Sequence, residues 1–170
     1  MALNNNELTQ EQLREDLWYH YETGHFTWIK HPHAKRIDTR AGDLTTSNYR
    51  YINIAGKKHK EHRLAFLYHY GCFPVDDLVV DHIDADRSNN TFWNLRLCTP
   101  QQNNLNVGRS CRNTSGYKGV SYNKPTGKWK AKIQCDGVDH YLGLYETPEQ
   151  AHKAYVKLGK ELHGEFFNAG

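Results

Sequence analysis

Three residues of this chain, Asp81, His82 and Asn103, are of the types and at the spacing that phosphodiester hydrolysis would use. Such hydrolysis needs a base to activate water. It needs a metal to stabilise charge on the leaving oxygen and the transition state, and a frame that holds both at a fixed separation. Asp81 and His82 close the apolar run Leu78-Val79-Val80, which reads as a short strand. Neighbours on a strand point to opposite sides, so one side chain can face a metal while the other faces the water. Asn103 falls in a helix opened by Thr99-Pro100-Gln101-Gln102, a capping box with proline at the first helical position. In a strand-loop-strand-helix unit that turn packs across the first strand. The Asp81 carboxylate and the Asn103 amide oxygen are then a pair of hard oxygens suited to Mg²⁺, with Mn²⁺ as the alternative ion.

The elements that must position these groups can be read outward from them. Asp84 to Thr91 is a polar loop in which Asp84 and Asp86 read as capping residues, and Asn94 to Cys98 is a second strand. Upstream, Thr9-Gln10-Glu11-Gln12 is a capping box that predicts a helix to about Leu17. Trp18 to Trp28, broken at Glu22-Thr23-Gly24, predicts a hairpin. Residues 31–48 read as loop, and 49–54 as a strand turned by Ala55-Gly56-Lys57-Lys58. Glu61 to Tyr70 predicts a helix with Leu64, Leu67 and Tyr68 on one face and Gly71 as its stop. His62 and Arg63 at its start read as packing or phosphate-contact residues.

The stretch VVDHIDADRSNNTFWNLRLCTPQQNN resembles the ββα-metal finger of HNH nucleases, most closely their phage homing branch. HRLAFLYHYG and YHYETGHFTW resemble the same branch. The resemblance implies that His82 is the general base and Asp81 the first metal ligand. It implies that Asn94 braces the loop and helps hold the base, and that Asn103 is the second metal ligand. Asn103 departs from the His of the family motif, as is common in the phage branch, and this bears on metal preference.

Farther on, residues 105–115 hold almost nothing apolar and read as a linker. Three strands are expected at 117–122, 128–134 and 139–145. A helix capped by Thr147-Pro148-Glu149-Gln150 follows, with Ala151, Ala154, Tyr155, Leu158 and Leu162 on its apolar stripe. Lys128, Lys130, Lys132 and Gln134 alternate with Trp129, Ala131 and Ile133, so one strand face is cationic. The segment SGYKGVSYNKPTGKWKAKIQ…YLGLYETPEQAHKAY resembles the plant ethylene-response-factor DNA-binding domain. That likeness implies DNA-facing roles for Lys118, Ser121, Asn123, Lys132, Gln134 and Tyr141. The plant domain carries mostly Arg, a Glu and a Trp at these places, so its target sequence does not transfer.

The fold class expected is α+β: a ββα-metal nuclease domain followed by a small three-stranded antiparallel sheet packed on one helix. The nuclease domain is expected over 1–106, with its core at about 78–106, the linker over 107–113 and the DNA-reading module over 114–170. Charge is blocked along the chain, although the net is only +3. Residues 30–63 carry nine basic and three acidic side chains, 64–86 five acidic and none basic, and 112–132 six basic and none acidic. Basic blocks suit a polyanion, here double-stranded DNA. An acidic block between them suits a site that holds a cation. Four scattered cysteines with no Cys-x-x-Cys pair argue against structural zinc and a disulfide framework. No apolar run is long enough to span a bilayer, and Met1 to Glu7 lacks the features of a leader, so no membrane partner and a cytoplasmic location are expected. The reading is a site-specific, homing-type DNA endonuclease, acting as a monomer that nicks or a dimer that cuts both strands. The alternative, a DNA-binding regulator whose nuclease unit no longer cuts, is disfavoured by the intact Asp81, His82 and Asn103.

Overall fold

The computed structural model describes residues 8–170. The segment 1–7, from which no leader is expected, lies outside the described residues. The chain divides into two compact units between Pro100 and Gln101.

In the first unit, α1 (Gln10–Asp16) opens on the expected capping box. The Thr9 hydroxyl accepts from Gln12 N and the Gln12 side chain accepts from Thr9 N. β1 (Leu17–His20) and β2 (His25–Trp28) form the expected hairpin. Its alternation sends Leu17, Tyr19, Phe26 and Trp28 into the core. β3 (Asp43–Leu44) pairs with β4 (Arg50–Ile54), and β4 with β5 (Lys57–Lys60). β5 departs from the expected turn at 57–58. Its four residues, Lys-Lys-His-Lys, carry no apolar side chain, so no alternation marks the strand, and register with β4 alone defines it. α2 (Glu61–Tyr70) has the predicted bounds and ends at Gly71, whose φ of 79° is the left-handed cap that favours glycine. Leu64, Ala65, Phe66, Leu67 and Tyr68 are all buried, so α2 is enclosed rather than amphipathic. β6 (Val79–His82) and β7 (Leu95–Cys98) make a separate two-stranded sheet, and Pro100 opens α3 (Pro100–Leu105), whose remaining residues belong to the second unit.

The second unit is a sheet ordered β10-β9-β8, built from β8 (Val120–Asn123), β9 (Lys128–Cys135) and β10 (Val138–Tyr145), with α4 (Pro148–His163) against it. Val120, Ala131 and Ala151 form its small core, with Tyr117, Trp129, Leu142 and Tyr145 packed around them. The buried stripe of α4 runs Ala151, Tyr155, Gly159 and His163, and the expected Leu162 stays exposed. Phe167 folds back over Gly159, where any Cβ would overlap its ring, and this shifts the stripe. The stretch read as a linker is tied down at its start. Lys118 Nζ donates to the carbonyls of Leu105 (3.1 Å), Val107 (2.6 Å) and Asn168 (2.9 Å), and Asn168 donates to Asn106 O. A lack of apolar residues marks segments without a core, but it says nothing of such hydrogen bonds.

Candidate active site

β6 and β7 pair so that Asp81 faces Arg96 and His82 faces Leu95. Arg96 Nε and Nη2 both donate to Asp81 Oδ2, at 3.0 and 2.9 Å. Both side chains are largely buried, so solvent screens the pair little. Arg96 is given no role by the sequence reading, although the antiparallel register of the two strands is the signal that finds it.

Asn94 sits at the end of the β6–β7 loop and ties its two sides together. Its carbonyl oxygen accepts from Asp84 N (3.1 Å), and its amide donates to Asp84 Oδ1 and Asn89 O (both 2.8 Å). Its backbone oxygen accepts from Ile83 N. Asp84 and Asp86 accept from backbone N–H groups two residues on, as capping residues do. The side chain that meets His82 Nε2 is that of Asn90, at 2.8 Å through Oδ1. Asn90 Nδ2 in turn donates to Glu61 Oε2 at 2.7 Å, and Asn90 O accepts from the Tyr19 hydroxyl at 2.7 Å. Nothing in the pattern singles out Asn90, a loop residue, or Glu61, a helix-opening one. Only the fold brings them to His82.

His82 also packs edge-on against His62, with ring centroids 5.0 Å apart, and lies 6.3 Å from Tyr49. Burial first, then the neighbouring His82, Lys60 and Arg63, holds the His62 imidazole down to about 3. Burial also pushes the Glu61 carboxyl up, against the opposing pull of Arg40, Asn90 and Arg50. Lys60 and Arg87 lie over the Tyr49 ring at 4.4 and 4.9 Å, which brings two cations close to the site.

Among the described residues, no group of three or more His, Cys, Asp or Glu side chains is arranged to hold an ion. An ion at Asp81 would therefore draw on one carboxylate and on neutral oxygens, water among them. That donor set fits a hard cation that keeps several waters. Asn103 lies half-buried on α3.

In the second unit, register places the expected reading residues on one sheet face. Lys128 stands opposite Asn123, Lys130 opposite Ser121, Lys132 opposite Tyr141 and Gln134 opposite Asp139. Two of the lysines hold carboxylates: Lys128 pairs with Glu146 and Lys132 with Asp139, each at 2.6 Å. Lys118 does not join this face through its ammonium, which the three carbonyls named above take up.

The profile of the HNH endonuclease family matches residues 58–105. An uncharacterised HNH endonuclease of Acanthamoeba polyphaga mimivirus is 42% identical over 90 residues, which is 53% of this chain and 46% of that protein. This chain thus spans under half of that relative's length. Protein 3.8 of Escherichia phage T7 is 34% identical over 87 residues, 51% of this chain and 71% of that protein. An ethylene-responsive transcription factor of Arabidopsis thaliana is 30% identical over 95 residues, 53% of this chain and 57% of that protein. The solved HNH homing endonuclease I-HmuI aligns over 87% of this chain and 85% of its own, at 22% identity and a TM-score of 0.42, a likeness too loose to place any residue.

Proposed function

Because the chain belongs to the HNH endonuclease family, we propose that it is a site-specific, homing-type DNA endonuclease that cuts phosphodiester bonds with a histidine base and one divalent metal ion. One observation carries this reading. Adjacent buried residues on β6, Asp81 and His82, are each fixed by a partner of their own, Arg96 and Asn90. Neighbouring strand positions aim the carboxylate and the imidazole apart, as a metal ligand and a base require.

His82 takes a proton from a water molecule, and the oxygen so activated attacks phosphorus as the bond to the leaving oxygen breaks. Asp81 and Asn103 would hold the ion, which when bound neutralises charge on the phosphate and on the leaving oxygen. Lys60 and Arg87 supply fixed positive charge beside His82 for the incoming backbone. Asn94 keeps the loop that joins β6 to β7 closed on itself.

The second unit supplies duplex affinity and register through the face that carries Ser121, Asn123, Lys128, Lys130, Lys132, Gln134 and Tyr141. A three-stranded sheet can lie in a major groove, and the partial likeness to the plant transcription factor supports this use. The test is relaxation of supercoiled plasmid by the full chain with Mg²⁺, with and without EDTA, in competition with RNA. Metal-dependent nicking or linearisation that RNA does not suppress is expected. Binding without any cutting would favour a regulator instead.

A further inference from the structure

Glu61 is a costly residue to bury for stability alone. It is fully enclosed, its Oε1 has no hydrogen-bond partner among the described residues, and its nearest guanidinium nitrogens, on Arg40 and Arg50, stand 3.9 Å from Oε2. That is too long for the forked hydrogen bonds that offset the burial of a carboxylate. What Glu61 does hold, at 2.7 Å, is the amide of Asn90.

An asparagine amide has a donor end and an acceptor end, whereas a carboxylate can only accept. With Glu61 Oε2 at 2.7 Å and the Ser88 carbonyl at 3.5 Å, both acceptors, the Nδ2 end of Asn90 must face them. Oδ1 is then turned to His82 Nε2, and a carbonyl oxygen there requires the hydrogen to be on that nitrogen. The rest of Asn90 is equally constrained. It is 1% exposed, its carbonyl is held by the Tyr19 hydroxyl, and the tip of the β1–β2 hairpin packs on it so closely that a Cβ on Gly24 would run into the Asn90–Thr91 peptide.

We propose that Glu61 and Asn90 are positioning residues that act in series. Glu61 sets which way the Asn90 amide points, and Asn90 sets the His82 tautomer, with hydrogen on Nε2 and the lone pair on Nδ1. The catalytic meaning of this rests on the nuclease reading: Nδ1 is the nitrogen that takes the proton as the water O–H bond breaks.

The test is ¹⁵N NMR of the full chain labelled in its histidine rings, at about pH 8.5, above the ordinary imidazole range near 6.5. The His82 signals are identified by their loss in His82→Gln. Wild type should show a pyrrole-type shift at Nε2 and a pyridine-type shift at Nδ1. Glu61→Gln offers Asn90 both a donor and an acceptor, so the tautomers should mix and cleavage should fall by roughly 10- to 100-fold, the usual cost of losing such a supporting group. DNA affinity should hold. Glu61→Asp, which keeps an acceptor-only partner, should restore the wild-type pattern in part. A wild-type His82 with its hydrogen on Nδ1 overturns the proposal, and that spectrum needs no variant to fold. A folded Glu61→Gln protein with an unchanged tautomer overturns the role of Glu61. The spectra need neither DNA nor metal. A protein that shows the Nε2–H tautomer yet cuts nothing therefore supports the relay and counts against the nuclease reading.

Discussion

Arg96 stands directly across the β6–β7 ladder from Asp81 and sends two nitrogens to the same carboxylate oxygen. Two charge-assisted hydrogen bonds on one oxygen hold the carboxylate in position. Arg96→Gln should therefore raise the Mg²⁺ concentration needed for half-maximal cleavage by about 10- to 100-fold. A metal titration of the cleavage rate checks this, and an unchanged titration would show that Arg96 plays no part in presenting Asp81.

Asp81→Ala and Asn103→Ala should each abolish or greatly weaken metal-dependent cleavage. Asp81 should matter more, since it brings the negative charge. Ca²⁺ should support DNA binding with little cutting. Plasmid cleavage across a series of divalent ions, beside a gel-shift measurement, reads both effects. Cutting that survives EDTA would refute the metal mechanism.

The sheet face of the second unit should carry much of the affinity. Changing Lys128, Lys130 and Lys132 together to Ala should weaken binding. It should also flatten its salt dependence by up to about three units of log–log slope, one for each phosphate that a lysine no longer neutralises. Glu146 and Asp139 sit on two of these lysines, so Glu146→Gln with Asp139→Asn should tighten binding. These pairs are exposed, and little change in stability is expected from breaking them. Gln134→Ala alone should relax preference at one or two base pairs, worth about 1–3 kcal/mol if it reads a base edge. Affinities at several salt concentrations separate phosphate neutralisation from base reading.

His62 makes the folded state sensitive to acid. Its imidazole is held down to about 3 in the fold, whereas the unfolded chain protonates it near the ordinary value of about 6.5. Between those values the unfolded state binds the extra proton. The contribution of His62 is intact above about pH 6.5 and is lost progressively as pH falls toward 3, by up to about 1.4 kcal/mol per pH unit. His59 and His25, also lowered chiefly by burial, act in the same direction. Urea unfolding of wild type should show stability falling between about pH 6.5 and pH 4.5, and His62→Gln should show a shallower fall. Equal slopes would mean that His62 is not neutral in the fold.

How much of the fold and site is legible in the sequence depends on the kind of signal. Capping boxes at Thr9 and Thr147, the Gly71 stop and the strand signals at 78–82 and 94–98 are local rules, and the elements they predict are found there, each strand starting one residue later. β5 escapes such rules because four polar residues carry no period. The stripe of α4 departs from its apolar pattern because Phe167, eight positions beyond Gly159 in the chain, decides which face is covered. Asp81 and His82 are legible as an adjacent pair at a strand end. Their partners are not. Arg96 requires the strand register, and Asn90 meets His82, and Glu61 meets Asn90, only after a loop and a helix from different parts of the chain have packed.

His82 is proposed as the base of a DNA-cutting site, and single-turnover cleavage by a His82→Ala variant of the full chain measures that role. With Mg²⁺ and saturating DNA, the rate should fall by about 100- to 10,000-fold relative to wild type, the usual range for a general base. DNA affinity should stay close to wild type, because His82 acts on water and not on the phosphate. Near-normal cleavage by a folded His82→Ala protein would show that another group activates the water.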